Sequence, residues 1–273
     1  MSKQTDTELL EKIKNKLNKY KLKNEKQYNN LLKWINRLIS FALARHNHKN
    51  NKFRAYSRGQ IVKVDFGFNV GYELGGVHYA VVITKNDTTR SGTLSVIPLT
   101  SFKNKKLNKN EVYLGSEFYQ TVENNFHVVT RDIHRVTMYK DKIDIELDRF
   151  HKQFGEDKIK KDDVLSDDYF ALITYLSPKF YEDNTIDYQA IIAKINEEKL
   201  FYENLLLRNQ KLIQELKFMK PGSVAKVEQL RIVSKNRIIS PRHSSDALHG
   251  VKVGERNMDT LNNKLKEVFI FDK

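Results

Sequence analysis

The spacing of the apolar residues changes repeatedly along this chain, and this change limits its fold more than any other feature. Apolar residues recur at steps of three and four in residues 7–45 and again after Asp187, which predicts amphipathic helices. Between and after these stretches, from 59 to 114 and from 223 to 232, they alternate with polar residues, which predicts strands. This order predicts an α+β fold in which a β-structure is interrupted by helices.

Polar and capping residues divide the helical stretches. A polar break over Lys21–Lys26 predicts two helices within residues 7–45. Ser166 is a typical helix N-cap, which predicts a helix through Tyr175, and apolar spacing predicts a closing helix over Thr260–Phe269.

The helix predicted from Asp187 to about Phe218 has a coiled-coil-like apolar stripe, which must pack against a partner. The N-terminal helices are one candidate partner, and a second copy of the chain is the other. The stripe consists of Ile191, Ile195, Tyr202, Leu205, Leu212 and Leu216.

Four strands are predicted before the helical insertion and one strand-like stretch after it. Asn86-Asp87 is a turn signal between the second and third strands, and the basic segment Lys103–Lys109 connects the third to the fourth. The predicted strands are Gln60–Phe66, Tyr79–Thr84, Thr93–Leu99, Glu111–Leu114 and Ser223–Ile232.

Positive charge is concentrated at the N-terminus. The formal net charge is +14, and residues 1–57 hold 14 Lys and Arg against 4 Asp and Glu. Such a field favours a polyanionic partner, and nucleic acid is the usual one for a soluble protein. A solvated lysine-rich helix face is the alternative interpretation.

Other features of the composition exclude several classes of protein. The chain has no cysteine, which excludes disulfides and thiolate metal sites and agrees with a cytoplasmic location. No apolar run is long enough for a membrane span, and the first residues lack a secretory apolar segment. His46 and His48 have a spacing that zinc uses, but no further ligand lies near them, so neither a metal nor another cofactor is expected.

Two sequence blocks together resemble the MazF/PemK family of toxins. The first block contains RGQIVKVDFG from Arg58, VGYELGGVHYAVVI from Val70, KND from Lys85 and IPLT ending at Thr100. The second block, from Gly222 to Ile238, reads GSVAKVEQLRIVSKNRI. The order and spacing of both blocks are similar to those of the family, with the helical stretch inserted between them.

The resemblance implies an architecture as well as an activity. It implies a small SH3-like β-barrel that dimerises, cleaves single-stranded RNA without a metal and is blocked by a cognate antitoxin. On this basis we expect a basic helical arm (residues 1–52), two parts of the barrel (53–119 and 219–273) and a helical insertion (120–218).

The glycine-rich loop departs from the family pattern at its end. Where the family has a catalytic arginine followed by proline, this chain has His78 and Tyr79. Histidine accepts or donates a proton near neutral pH, whereas arginine supplies charge and paired hydrogen bonds. We therefore expect His78 to act as acid or base and Thr100 to stabilise the phosphorane. A histidine that merely completes a strand start is the competing interpretation.

Further residues of the two blocks and the basic connector are expected to contact RNA. Tyr72 is expected to stack on a base, and one of Lys103, Lys105 and Lys106 to assist Thr100. A structural role is the alternative for Arg58, a salt bridge for Arg231 and simple solvation for Glu73. The predicted substrate-binding set is Arg58, Tyr72, Glu73, Ser101, Lys103, Lys106, Gln229 and Arg231.

Two other functions remain open at this stage. The exchange of arginine for His78 permits an RNA-binding or regulatory protein without catalysis. A toxin of the same fold that attacks a protein, as the related gyrase poisons do, is the third hypothesis.

Overall fold

The fold combines helices with one large antiparallel sheet, as the apolar spacing predicted. The computed structural model describes residues 5–44, 52–154, 159–160, 185–186 and 188–270. In chain order its elements are α1 (Asp6–Lys23), α2 (Glu25–Ala44), β1 (Ile61–Asp65), β2 (Val77–Val82), β3 (Thr93–Ser101), β4 (Glu111–Tyr113), α3 (Glu117–Phe154), β5 (Ile159–Lys160), β6 (Thr185–Ile186), α4 (Tyr188–Phe218), β7 (Ser223–Lys226), β8 (Arg231–Ser234), β9 (Ile238–Ser240) and α5 (Glu255–Phe269).

The chain divides into two compact units. The β-unit comprises Met1–Phe118, Pro221–Arg242 and Gly250–Lys273, and the helical unit comprises Tyr119–Lys220 and His243–His249. Among the described residues, no helix is long and apolar enough to cross a membrane.

Strand β3 organises the sheet of the β-unit. The strand order is β4-β7-β3-β2-β1-β9, and β8 pairs with β3 outside this path. The first half of β3 pairs with β8 (Leu94 with Val233), and its second half pairs with β7 (Leu99 with Ala225). Strand β3 thus pairs along the same edge first with β8 and then with β7.

The predicted closure of the strands into an SH3-like barrel is not observed in the described residues. The sheet is open, with β4 at one edge and β9 at the other. Strand β4 has only three residues, and β9 is followed by Pro241, which has no N–H to continue the ladder. Short or proline-terminated edge strands resist further pairing.

One apolar cluster of the β-unit lies on one face of β1, β2, β3 and β8, while Ile61, Val81 and Ile97 are buried on the opposite face. Alternate residues of these strands face it, and their β-branched side chains suit a pleated surface. Fully burying each large apolar side chain contributes about 1.5–3 kcal/mol. The buried cluster consists of Tyr56, Val62, Val64, Phe66, Ala80, Val82, Leu94, Val96, Val233 and Ile238.

The predicted break in the N-terminal helices is confirmed, and Asn24 makes it. The Asn24 N–H donates to the Tyr20 carbonyl at the end of α1, and its Oδ1 accepts from the Gln27 N–H, 3.0 Å away, at the start of α2. The side chain of Thr5 caps the other end of α1 in a capping box with Glu8. Within the expected arm of residues 1–52, the structure describes this helix pair, Asp6–Ala44, and the term arm refers to it from here on.

In the helical unit, the stripe of α4 packs against a helix that the sequence analysis did not predict. The Tyr202 hydroxyl lies 3.2 Å from Thr137 Oγ1 of α3, and Asn209 Nδ2 donates to Thr130 Oγ1 at 3.0 Å. Val122 and Val129 of α3 and Leu205 and Leu212 of α4 are buried. This part of the stripe therefore packs within the helical unit, and pairing with the N-terminal helices or with a second copy of the chain stays a prediction. The helix predicted from Ser166 lies outside the described residues.

Candidate active site

The glycine loop, residues 66–76, joins β1 to β2 and is closed at its base by backbone bonds. The Gly76 N–H donates to Gly67 O at 2.6 Å, and the Phe66 N–H donates to Gly76 O at 2.8 Å. Gly67 and Gly76 have φ of +83° and +81°, which favours glycine at both positions. The loop therefore has a fixed base, and the Tyr72 side chain at its tip is fully exposed.

His78 stands at the start of β2, directly after this loop, and is partly exposed. Its Nδ1 lies 3.2 Å from the carbonyl oxygen of Leu99 on β3. A carbonyl oxygen only accepts, so this contact requires the proton on Nδ1. In the neutral ring the lone pair is then on Nε2, which is the arrangement of a general base.

Thr100 follows the carbonyl that orients His78. Strands β2 and β3 pair Val82 with Val96 and Ala80 with Pro98, and continuing this register past Tyr79 and Leu99 would set His78 opposite Thr100. Thr100 is partly exposed and its hydroxyl makes no hydrogen bond within the described part of the chain. The register thus brings the two predicted catalytic residues to neighbouring strand positions.

The other residues predicted near Thr100 lie in the connector between β3 and β4. Ser101 is the last residue of β3 and is exposed, as are Lys103, Lys105 and Lys106. No ion pair engages these three lysines within the described residues. They are therefore available to an anionic ligand.

Gln229 and Arg231 hold the glycine loop from its inner side. Gln229 Oε1 accepts from the Leu74 N–H at 3.2 Å and from Arg231 at 3.1 Å, and Gln229 Nε2 reaches Tyr72 O at 3.5 Å. Arg231 also donates to Leu74 O at 3.3 Å, as does Asn69 at 2.6 Å. These bonds fix the loop beside His78.

The prediction of a single strand over Ser223–Ile232 was wrong at its centre. Val227–Gln229 is a single 3₁₀ turn, and the strand begins only at Arg231. Arg231 and Val233 point towards the core, with the Arg231 guanidinium 5.3 Å from the centre of the Phe66 ring, while Ile232 is exposed. The 3₁₀ turn is what directs the Gln229 amide at the loop.

A cluster of arginines surrounds the base of the loop, which the sequence analysis did not recognise. Arg37 of the arm forms an ion pair with the buried carboxylate of Asp65, and Arg237 donates to Phe66 O at 3.2 Å. The Arg237 guanidinium also stacks on Trp34 of the arm, 5.0 Å from its ring centre. Burial, together with the charge of Arg231, lowers the pKa of Arg237 below its ordinary value.

The remaining residues of the two blocks serve the scaffold. Arg58 donates to Ile83 O and to Asn262 Oδ1 (2.5 Å), so it ties the far end of the β1–β2 hairpin to α5. Lys235 and Asp87 form a buried ion pair of 2.7 Å. Glu73 is exposed on the loop. A role in substrate binding for Arg58 or Glu73 remains a prediction.

Comparison with known proteins finds a family model that matches part of the chain. Residues 57–154 match the model of a family described as "PemK-like, MazF-like toxin of type II toxin-antitoxin system". This range contains β1–β4, the glycine loop, His78 and Thr100; the arm and the second block lie outside it. No curated protein matches the chain significantly. Within the described residues, no group of three His, Cys, Asp or Glu side chains is arranged to hold a metal ion.

Proposed function

We propose that this chain, whose residues 57–154 match the PemK-like, MazF-like toxin family, is a metal-independent endoribonuclease that cleaves single-stranded RNA. The contact between His78 Nδ1 and Leu99 O, one residue before Thr100, is the observation that carries this proposal. It leaves Nε2 of a partly exposed histidine available for proton transfer. We also propose a homodimer in the cytoplasm and, as the family of type II toxins implies, a cognate antitoxin as partner.

In the proposed reaction the ribose 2′-hydroxyl attacks the adjacent phosphorus. His78 Nε2 accepts the hydroxyl proton as the bond from the 2′-oxygen to phosphorus forms. The Thr100 hydroxyl donates to a non-bridging oxygen, and a lysine of the connector (Lys103, Lys105 or Lys106) adds positive charge to the phosphorane. The bond to the 5′-oxygen then breaks, and that oxygen takes a proton from solvent. The products are a 2′,3′-cyclic phosphate and a free 5′-hydroxyl.

The glycine loop supports this assignment of roles. Gln229 and Arg231 bond to it from β8 and the preceding 3₁₀ turn, and Asn69 bonds within it to Leu74 O. The loop is therefore fixed before a substrate arrives, which lowers the entropic cost of positioning a phosphodiester at His78. The exposed Tyr72 at its tip is suited to stacking on an unpaired base.

The test is cleavage of a long end-labelled RNA by the purified chain in EDTA. We expect fragments that end in 2′,3′-cyclic phosphates, and a loss of about 10²–10⁴ in rate for His78→Ala. His134→Ala, which removes an exposed histidine of α3, is the matched control and should retain full activity. Binding without cleavage by the native chain would favour the non-catalytic alternative, and full activity of His78→Ala would remove this histidine from the mechanism.

A further inference from the structure

A cleft of about 770 Å³ lies between the arm and the glycine loop, entirely within the β-unit. Its volume falls within the range of about 300–1,000 Å³ that is typical of small-ligand sites. One wall is a single face of α2, where Gln27, Asn30, Trp34 and Arg37 follow at helical spacing. Because the family match begins at residue 57, this wall is an addition of this chain to the toxin domain.

The side chains that line the cleft suit an unpaired nucleotide. Tyr20, Trp34 and Phe68 supply aromatic surface on which a base can stack. The side-chain amides of Gln27 and Asn30 make no hydrogen bond within the described part of the chain, so they are available to the edge of a base.

Four charged side chains line the cleft, Lys33 and Arg37 against Asp65 and Glu73, so its formal charge is balanced. Arg37 is neutralised by Asp65, whereas Lys33 has no acidic partner within the described residues. Lys33 is exposed at the cleft and is free to contact a phosphate. A nucleotide combines the three required parts, which are an apolar flat ring, hydrogen-bonding edges and one anionic group.

The cleft adjoins the strand that carries His78. Gly76 and Val77 line it, and the next residue is His78. Successive residues of a strand face opposite sides, so Val77 faces the cleft and His78 the core side of the hairpin. A nucleotide in the cleft and a phosphodiester at His78 would thus lie on opposite faces of the hairpin, and the RNA between them would cross the edge of the glycine loop.

From these observations we propose that the cleft between the arm and the glycine loop binds one unpaired nucleotide that flanks the phosphodiester held at His78. The proposal rests on the proposed ribonuclease function and adds a subsite to it. The arm is then part of the substrate site, and its positive charge attracts the phosphates of the RNA.

The chain offers an internal reporter for this subsite, because Trp34 is its only tryptophan. The probe is a single-stranded RNA of mixed sequence with 2′-fluoro riboses, which lack the attacking hydroxyl and so are not cleaved. Titration of the full chain is followed in parallel by Trp34 fluorescence and by the anisotropy of a dye on the RNA. We expect quenching of Trp34 that saturates together with the anisotropy, since a base stacked in the cleft contacts the indole.

Matched variants test whether the cleft residues cause this signal. Asn30→Ala with Lys33→Ala removes two exposed side chains of the cleft, and Asn29→Ala with Lys26→Ala removes the same two residue types from exposed positions of α2 outside it. The cleft variant should bind the RNA about ten-fold more weakly, with reduced quenching, while the control should bind like the native chain.

Two outcomes would overturn the proposal while leaving the ribonuclease intact. The first is a 2′-fluoro RNA that binds by anisotropy but leaves Trp34 fluorescence unchanged, while unmodified RNA is still cleaved. The second is equal RNA affinity for the cleft variant and its control. If Trp34 instead responds only to the antitoxin protein, the cleft is a protein-binding site and the nucleotide proposal is wrong. Absence of both cleavage and binding of RNA by the native chain would refute the proposed function itself.

Discussion

Lys235→Met is expected to destabilise the β-unit strongly, because it removes one member of a buried ion pair. The side chains of Lys235 and Asp87 are 2% and 0% exposed, and their charged atoms are 2.7 Å apart. Lys235 Nζ also donates to the carbonyl oxygens of Arg54 and Thr88, both at 2.9 Å. All three acceptors lose this donor in the variant.

The size of the effect follows from what the substitution leaves behind. Methionine fills a similar volume, but the Asp87 carboxylate remains buried with only the Tyr56 N–H, at 2.8 Å, as a donor to Oδ2. Losing one partner of a buried pair costs about 3–5 kcal/mol. With a urea dependence of about 2 kcal/mol/M, the unfolding midpoint should fall by about 2 M.

Equilibrium unfolding in urea, followed by Trp34 fluorescence, measures this loss in the β-unit. Lys85→Met is the control, since Lys85 lies two residues before Asp87 in the chain but is exposed. The double variant Asp87→Asn with Lys235→Met should lose less stability than the sum of the two single losses, because neither leaves the other's charge unpaired. Equal midpoints for Lys235→Met and Lys85→Met would refute the reasoning.

Three further predictions concern the site and the sheet. His78→Arg should cleave more slowly than the native chain and with a flatter rate profile from about pH 5 to about pH 9, because the proton acceptor is lost; identical single-turnover profiles would contradict proton transfer by His78. Gly67→Ala should cost about 1–3 kcal/mol more in urea unfolding than Gly71→Ala. Both glycines have positive φ, but an added Cβ meets Trp34 at 2.5 Å only at Gly67 and nothing within 4 Å at Gly71, so equal losses would contradict the predicted clash. Burial raises the pKa of Glu111, but the Lys226 ammonium and the Asn108 bonds outweigh it and leave the pKa lowered. The stability from this group is present above the ordinary glutamate pKa and is lost as the pH falls through the lowered value. The free energy of unfolding of the native chain should therefore exceed that of Glu111→Gln by less on acidification, and a difference that does not change with pH would contradict this prediction.

Elements with a regular apolar period were predictable from the sequence. The arm, its break at Asn24, the four strands β1–β4 and α4 all follow from spacing and capping residues. Helix α3 was missed, although Phe118, Val122 and Val129 lie at helical steps and are buried. The second half of α3 is rich in charged residues, which interrupt the apolar pattern. Charge alone says little about helix formation in an exposed segment.

Contacts between distant residues were the part of the site that the sequence did not reveal. The pairing of His78 with the Leu99 carbonyl needs the register of two strands, which alternation alone leaves undetermined. Gln229 was placed in a strand because residues 223–232 alternate, and a single 3₁₀ turn interrupts that alternation without a glycine or proline to mark it. The packing of Trp34 against Gly67 joins two segments with no shared pattern, so only the folded chain shows it.

The pairing of β4 with β7 also sets the entropic cost of the long helical segment that connects these two strands. Tyr113 pairs with Val224, so residues 114–222 form the connection of an antiparallel hairpin. Closing a connection of this length in place of a two-residue turn costs only about 3.5 kcal/mol of chain entropy, because the cost grows with the logarithm of length.

The bonds that close this hairpin all lie within the β-unit. Leu114 N–H donates to Ser223 O at 2.8 Å, Ser223 N–H to Gly115 O at 2.9 Å and Phe102 N–H to Gly222 O at 3.0 Å. Since these bonds close the hairpin at its base, each doubling of the length of the connection lowers the free energy of unfolding by only about 0.6 kcal/mol. Over evolution such a hairpin can gain, lose or exchange a whole helical segment while Thr100, one strand away, keeps its position.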